Sequence, residues 1–92
     1  MLPHSMMEEQ ARLALTPRQL EVLKFIAATA KERGVSPTMV EIGNYLGVHK
    51  STASEHVLKL VDRGALATSN WGMPRSVFLT DAAQGHLEAL AV

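Results

Sequence analysis

"SPTMVEIGNYLGVHKSTASEHVLKLVDRG", residues 36–64, decides the fold. Thr38 is placed to cap a helix and Glu41, three residues later, to answer it, which is the pattern of a capping box. Met39, Ile42 and Leu46 then recur at helical spacing, and Gly47 stops the run. Val48 crosses to a second helix, which turns Ala53, Val57, Leu60 and Val61 toward a core and ends at Gly64. The link between the two helices is only about four residues long, the length of a helix-turn-helix connection. The second helix opens on His49-Lys50-Ser51-Thr52 and then Ser54-Glu55, a run of small, hydrogen-bonding side chains. Its back is built for burial and its front edge for contact with something polar.

Upstream, "LTPRQLEVLKFIAATAKERG" (15–34) announces a helix from both ends. Thr16 caps it, Pro17 suits the first helical position, and Gln19 completes a second capping box. Leu20, Leu23, Ile26, Ala27 and Ala30 form its expected apolar stripe, Lys31 and Arg33 complement the negative end, and Gly34 stops it. Downstream the period changes to two: "ALATSN" (65–70) and "RSVFLT" (75–80) alternate around "WGMP", which predicts a β-hairpin with Pro74 at its tip or edge. A last helix follows, capped by Thr80 or Asp81, with Ala83, Leu87 and Leu90 in one stripe and Gly85 as a weak point. Three helices followed by a hairpin make an α+β, mainly α, winged helix-turn-helix. The expected organisation is an amino-terminal arm over 1–14, the winged domain over 15–80, and a carboxy-terminal helix over 81–92 that serves as a dimerisation element or folds back onto the first helix.

Ninety-two residues make one domain. A chain of this size buries roughly 60–65% of its unfolded surface, which argues against a deep enzymatic cavity. A hydrophobic content of 47% with 20% charged residues argues against disorder. The absence of cysteine excludes a disulfide framework and any thiolate metal site. No apolar run reaches the ~18–20 residues of a membrane span, and "MLPHSMMEEQARLAL" puts glutamates where a signal peptide needs an apolar core, so the expected location is the cytoplasm. Nine basic residues balance nine acidic ones. Between His49 and Ser76, however, Lys50, Lys59, Arg63 and Arg75 face only Glu55 and Asp62, a mild local excess of positive charge. His49 and His56 lie seven residues apart on one helix, about 10 Å, too far to share one zinc ion without further ligands. No nucleophile, base and orienting group are placed together, so the sequence predicts no enzyme, no metal and no cofactor.

The segments "LTPRQLEVLKFI", "ERGVSPTMVEIGNYLGV", "SEHVLKLVDRGAL" and "GMPRSVFLT" together resemble the amino-terminal DNA-binding domain of LexA-type repressors. The most specific pieces are "LTPRQ", "SPT" followed by "EI", the Glu55-His56 pair and the Gly72-Met73-Pro74-Arg75 of the wing. The exit "FLTDAAQGHLEAL" is similar instead to that of MarR-type regulators, whose terminal helices build a dimer. Two departures matter. The LexA pattern has one more residue between helix two and the "EH" pair, so base specificity does not carry over. LexA-type repressors also continue into a self-cleaving serine–lysine protease domain, and a chain complete at Val92 would not act by that route.

The resemblance implies a transcriptional regulator, a repressor, that binds duplex DNA with the helix at about 49–63 in the major groove. On matching positions His49, Lys50, Ser51, Thr52, Ser54 and Glu55 enter that groove. The side chains have the chemistry for it, since lysine can meet phosphate or guanine O6/N7, hydroxyls donate or accept, and glutamate accepts from cytosine N4. The plainer alternative is a solvated helix end rich in capping residues. Thr38 heads a helix whose backbone N–H groups could hold a phosphate, or merely caps it. Arg75 on the wing reaches the minor groove or a phosphate, or is an ordinary exposed arginine. Trp71 packs at the wing base or forms a contact surface. Lys59, like Arg63, is a phosphate ligand or a solvated charge. Useful affinity calls for a homodimer on half-sites about 34–36 Å apart. The competing function is a winged-helix protein-interaction module that never binds DNA, which zero net charge favours; loss of affinity with salt separates the two.

Overall fold

The computed structural model describes residues 13–70, 73 and 75–90. The amino-terminal arm lies outside these up to residue 12, as do Trp71, Gly72 and Pro74 of the hairpin tip. The elements run α1 (Pro17–Arg33), α2 (Met39–Leu46), α3 (Lys50–Asp62), β1 (Leu66–Thr68), β2 (Val77–Leu79) and α4 (Asp81–Leu90). This is a winged helix-turn-helix: three helices around one core, a two-stranded antiparallel wing, and a fourth helix behind the wing.

Both expected capping boxes form. The Thr16 hydroxyl accepts from the Gln19 N–H at 3.1 Å while the Gln19 side chain accepts from the Thr16 N–H at 3.0 Å. Thr38 and Glu41 repeat the exchange at 3.1 and 2.9 Å. The carboxyl ends are closed as tightly. Gly47 takes a left-handed φ of 73°, its N–H turning back to the Asn44 carbonyl while the Val48 N–H reaches that of Gly43 at 2.9 Å. That pair of bonds is a Schellman motif, and only glycine adopts the conformation cheaply. The end of α3 is built likewise: the Gly64 and Ala65 N–H groups bond the Val61 and Leu60 carbonyls. The chain therefore leaves each helix in a fixed direction, and the corner between α2 and α3 is set by backbone alone.

The core gathers Leu23 and Ile26 of α1, Ile42 of α2, Val57 and Leu60 of α3, and Leu66 and Val77 of the wing. The stripe on α1 differs from the expected one. Gln19, Val22, Leu23, Ile26 and Thr29 are buried, whereas Leu20 and Ala27 are half-buried and Ala30 is exposed. Val22 brings more apolar area than an alanine does, and hydrophobic stabilisation scales with that area, so the helix rotates to bury it. On α3, Ala53, Val57 and Leu60 are buried as the spacing predicts, and Val61 is half-buried.

The strands are shorter than the alternating segments, three residues each, with Leu66 opposite Leu79, Ala67 opposite Phe78 and Thr68 opposite Val77. Leu66 and Val77 point into the core and Phe78 stays exposed. Thr80, not Asp81, heads α4: its hydroxyl accepts from the Ala83 N–H at 3.2 Å and donates to the Gly64 carbonyl at 2.6 Å. The start of α4 is thus stitched to the end of α3. Ala83 is buried, Leu87 half-buried, and Leu90 exposed. A Cβ on Gly85 would meet nothing within 4 Å. Gly85→Ala is expected to raise stability by about 0.5–1 kcal/mol, read as a higher urea midpoint with an unchanged slope; an unchanged midpoint would mean that α4 adds nothing to the cooperative unit.

Candidate nucleic-acid interface

A groove of about 750 Å³ opens between the amino end of α2, the outer face of α3 and the wing. Thr38, Met39 and Val40 form one wall, Lys50, Ser51, Ser54, Glu55 and Leu58 the floor, and Met73, Ser76 and Val77 the other wall. The structure therefore brings together five of the expected residues: Thr38, Lys50, Ser51, Ser54 and Glu55. Thr52 and Lys59 lie on α3 outside this lining, and His49 precedes it. Among the described residues no three side chains of metal-ligating type converge, and no helix is long and apolar enough to cross a membrane.

His49 has a structural role that the sequence did not reveal. It is the N-cap of α3, with Nδ1 accepting from the Ser51 N–H at 3.2 Å and lying 3.0 Å from the Ser51 hydroxyl. That geometry needs the proton on Nε2. Lys50, the first residue of α3, is a cation where the helix dipole is positive, and no acidic residue in the first turn compensates it. Such a placement is locally unfavourable.

Glu41 does more than complete the expected capping box, since it also pairs with two arginines. One carboxylate oxygen accepts from the Thr38 N–H at 2.9 Å and lies 2.8 Å from an Arg75 guanidinium nitrogen; the other accepts from Arg33 at 3.0 Å. Arg75 also donates to the Ser36 carbonyl at 3.1 Å. Its backbone has φ 58°, a left-handed conformation uncommon for a side chain of this size. The wing arginine is accordingly turned back onto the entry to α2, away from the groove floor. The capping box satisfies the N–H groups of Thr38 and Glu41, and those of Met39 and Val40 remain the first-turn groups that no carbonyl within the helix can reach.

The bond from the Thr38 N–H holds the Glu41 carboxyl below its ordinary value of 4.5, against the opposing effect of partial burial, and the Arg75 charge lowers it further. A depressed folded-state pKa contributes stability that is complete above the unfolded value and lost as pH falls through the folded one. Wild-type protein is therefore expected to be more stable than Glu41→Gln at neutral pH, with the gap closing below about pH 4.5. Urea midpoints measured from pH 7 to 3 test this, and a gap constant across that range would refute it.

Sequence missed Ser76 and, above all, the exposed apolar residues of the groove: Val40, Leu58 and Met73, exposed to 52%, 45% and 58%. Leu58 alone carried a signal, being an aliphatic residue out of phase with Ala53, Val57 and Leu60 and seven residues beyond Ser51.

A family model described as the LexA DNA binding domain matches residues 12–76. The match takes in α1, α2, α3 and β1 and stops before β2 and α4. The LexA repressor of Pseudoalteromonas atlantica is 39% identical over 74 residues, 80% of this chain and 36% of the relative. That of Geotalea uraniireducens is 38% identical over 68 residues, 74% of this chain and 34% of the relative. That of Leptospira interrogans reaches 42% over 55 residues, 60% of this chain and 27% of the relative. The chain spans about a third of the length of the curated relatives it matches. With the two capping boxes, the glycine-closed corner and the wing in place around the α3 groove, the chain belongs to the LexA DNA-binding domain family.

Proposed function

We propose that the protein is a sequence-specific regulator of transcription, a repressor, that binds duplex DNA as a homodimer and has no catalytic step of its own. The observation that carries this reading is the groove over α3. Its floor presents Lys50, Ser51, Ser54 and Glu55 on the outer face of the second helix of a helix-turn-helix, the position from which base edges are read. Lys50 supplies a phosphate or guanine contact, the two serines donate or accept, and Glu55 selects cytosine. Thr52 and Lys59, further round α3, meet the flanking backbone. Thr38 positions the first turn of α2 against a phosphate, and His49 acts by capping α3. Arg75 contributes by fixing the wing. Dimerisation is supported by α4, whose stripe runs from the buried Ala83 to Leu90, 51% exposed.

Selection from a randomised duplex library, followed by sequencing, tests the reading. A two-fold-symmetric site is expected, and Lys50→Ala and Ser51→Ala should blur individual positions of it. Affinity for the selected site should fall steeply with salt, by a slope set by the number of phosphates contacted. No enrichment at low salt would transfer the groove to a protein partner.

A further inference from the structure

The groove over α3 is poor in charge and rich in exposed apolar surface. Among the described residues its lining holds one cation, Lys50, and one anion, Glu55, against the aliphatic and thioether side chains of Val40, Leu58 and Met73. Soluble domains seldom leave such a patch open without a use for it. Leu58 follows Ser51 and Ser54 along α3 at the spacing of one helix face, so it extends the line of residues aimed at base edges. In the major groove of DNA the base edges offer one apolar feature, the C5-methyl of thymine.

We propose that Leu58, with Met73 on the opposite wall of the groove, reads thymine C5-methyl groups in the half-site. The inference rests on the DNA-binding reading given above. Discrimination then comes from burial of a methyl group against carbon and sulfur, complementing the hydrogen bonds of Ser51, Ser54 and Glu55. The same surface would accept 5-methylcytosine at a position where cytosine is refused, because the two pyrimidines place the methyl at the same point of the groove.

The experiment uses the full chain and the duplex recovered by selection. Each thymine of the half-site is replaced in turn by uracil, which removes the methyl and leaves every hydrogen-bonding group in place. Binding of wild-type protein is expected to weaken about threefold to fivefold at one or two positions, the worth of one buried methyl. Leu58→Ala and Met73→Ala should bind the thymine site more weakly and lose the distinction between thymine and uracil at those positions. Both side chains are about half exposed, so neither variant threatens folding. Replacing the sensitive thymine by cytosine and then by 5-methylcytosine should lower affinity and then partly restore it for wild type alone. Uracil tolerated at every position, or a penalty that persists unchanged in both variants, would overturn the proposal while leaving DNA binding intact. Failure to select any duplex would overturn the DNA-binding reading itself.

Discussion

Gly43→Ala is expected to destabilise the protein by about 2 kcal/mol and to lower its thermal midpoint by about 8–16 °C. In an exposed helix the same change stabilises by up to about 1 kcal/mol, because alanine loses less backbone freedom on folding. Here the sign reverses for a local reason. A Cβ on Gly43 would lie 2.7 Å from the Val48 carbonyl oxygen and 3.4 Å from backbone atoms of His49 and Lys50. The chain leaving α2 doubles directly over this residue, held by the bond from the Val48 N–H to the Gly43 carbonyl. No rotamer change can relieve a clash with backbone, so the corner must open and the amino end of α3 must move. Thermal melts of Gly43→Ala beside Gly85→Ala give opposite signs for one chemical change. A neutral or stabilising Gly43→Ala would show that the corner is looser than its geometry indicates.

Leu60→Ala is expected to cost more, about 2–5 kcal/mol, a large share of the roughly 5–15 kcal/mol by which such domains are stable. Leu60 is fully buried on α3, the helix that packs against α1, α2 and β1 alike. Removing it leaves a cavity with helices on more than one side, and a space framed by rigid elements collapses poorly. The urea midpoint should drop with little change in slope, whereas Lys59→Ala, exposed and one residue away, should stay within about 0.5 kcal/mol. A midpoint lowered equally by both variants would argue against this assignment of the core.

Much of the fold could be read from short-range rules because this chain obeys them. Thr16 with Gln19 and Thr38 with Glu41 are local exchanges, written in residues three apart, and they form as written. Glycines at 34, 47 and 64 end their helices because the left-handed turn is a property of the residue itself. What the sequence concealed depends on distant partners. Which face of α1 is buried depends on what α2, α3 and β2 offer it, so Val22 displaces Ala27 and Ala30. Arg75 reads as a free cation on a loop until Glu41, 34 residues earlier, is seen beside it. Nothing in the local sequence singles out Gly43, whose importance comes from the Val48 carbonyl oxygen lying 2.7 Å from where its Cβ would be. The apolar side of the groove was hidden for the same reason, since Val40, Leu58 and Met73 come from three separate segments.

The contact of Arg75 with Glu41 and the Ser36 carbonyl has a bearing on how a weakly charged surface can bind at all. A free wing would have to surrender its wandering on meeting a partner, and that lost freedom would count against affinity. Here Arg75 already ties the base of the wing to the entry to α2 before any partner arrives. Freedom given up at this joint during folding is not given up a second time on binding, and the cost of association is lower by that amount.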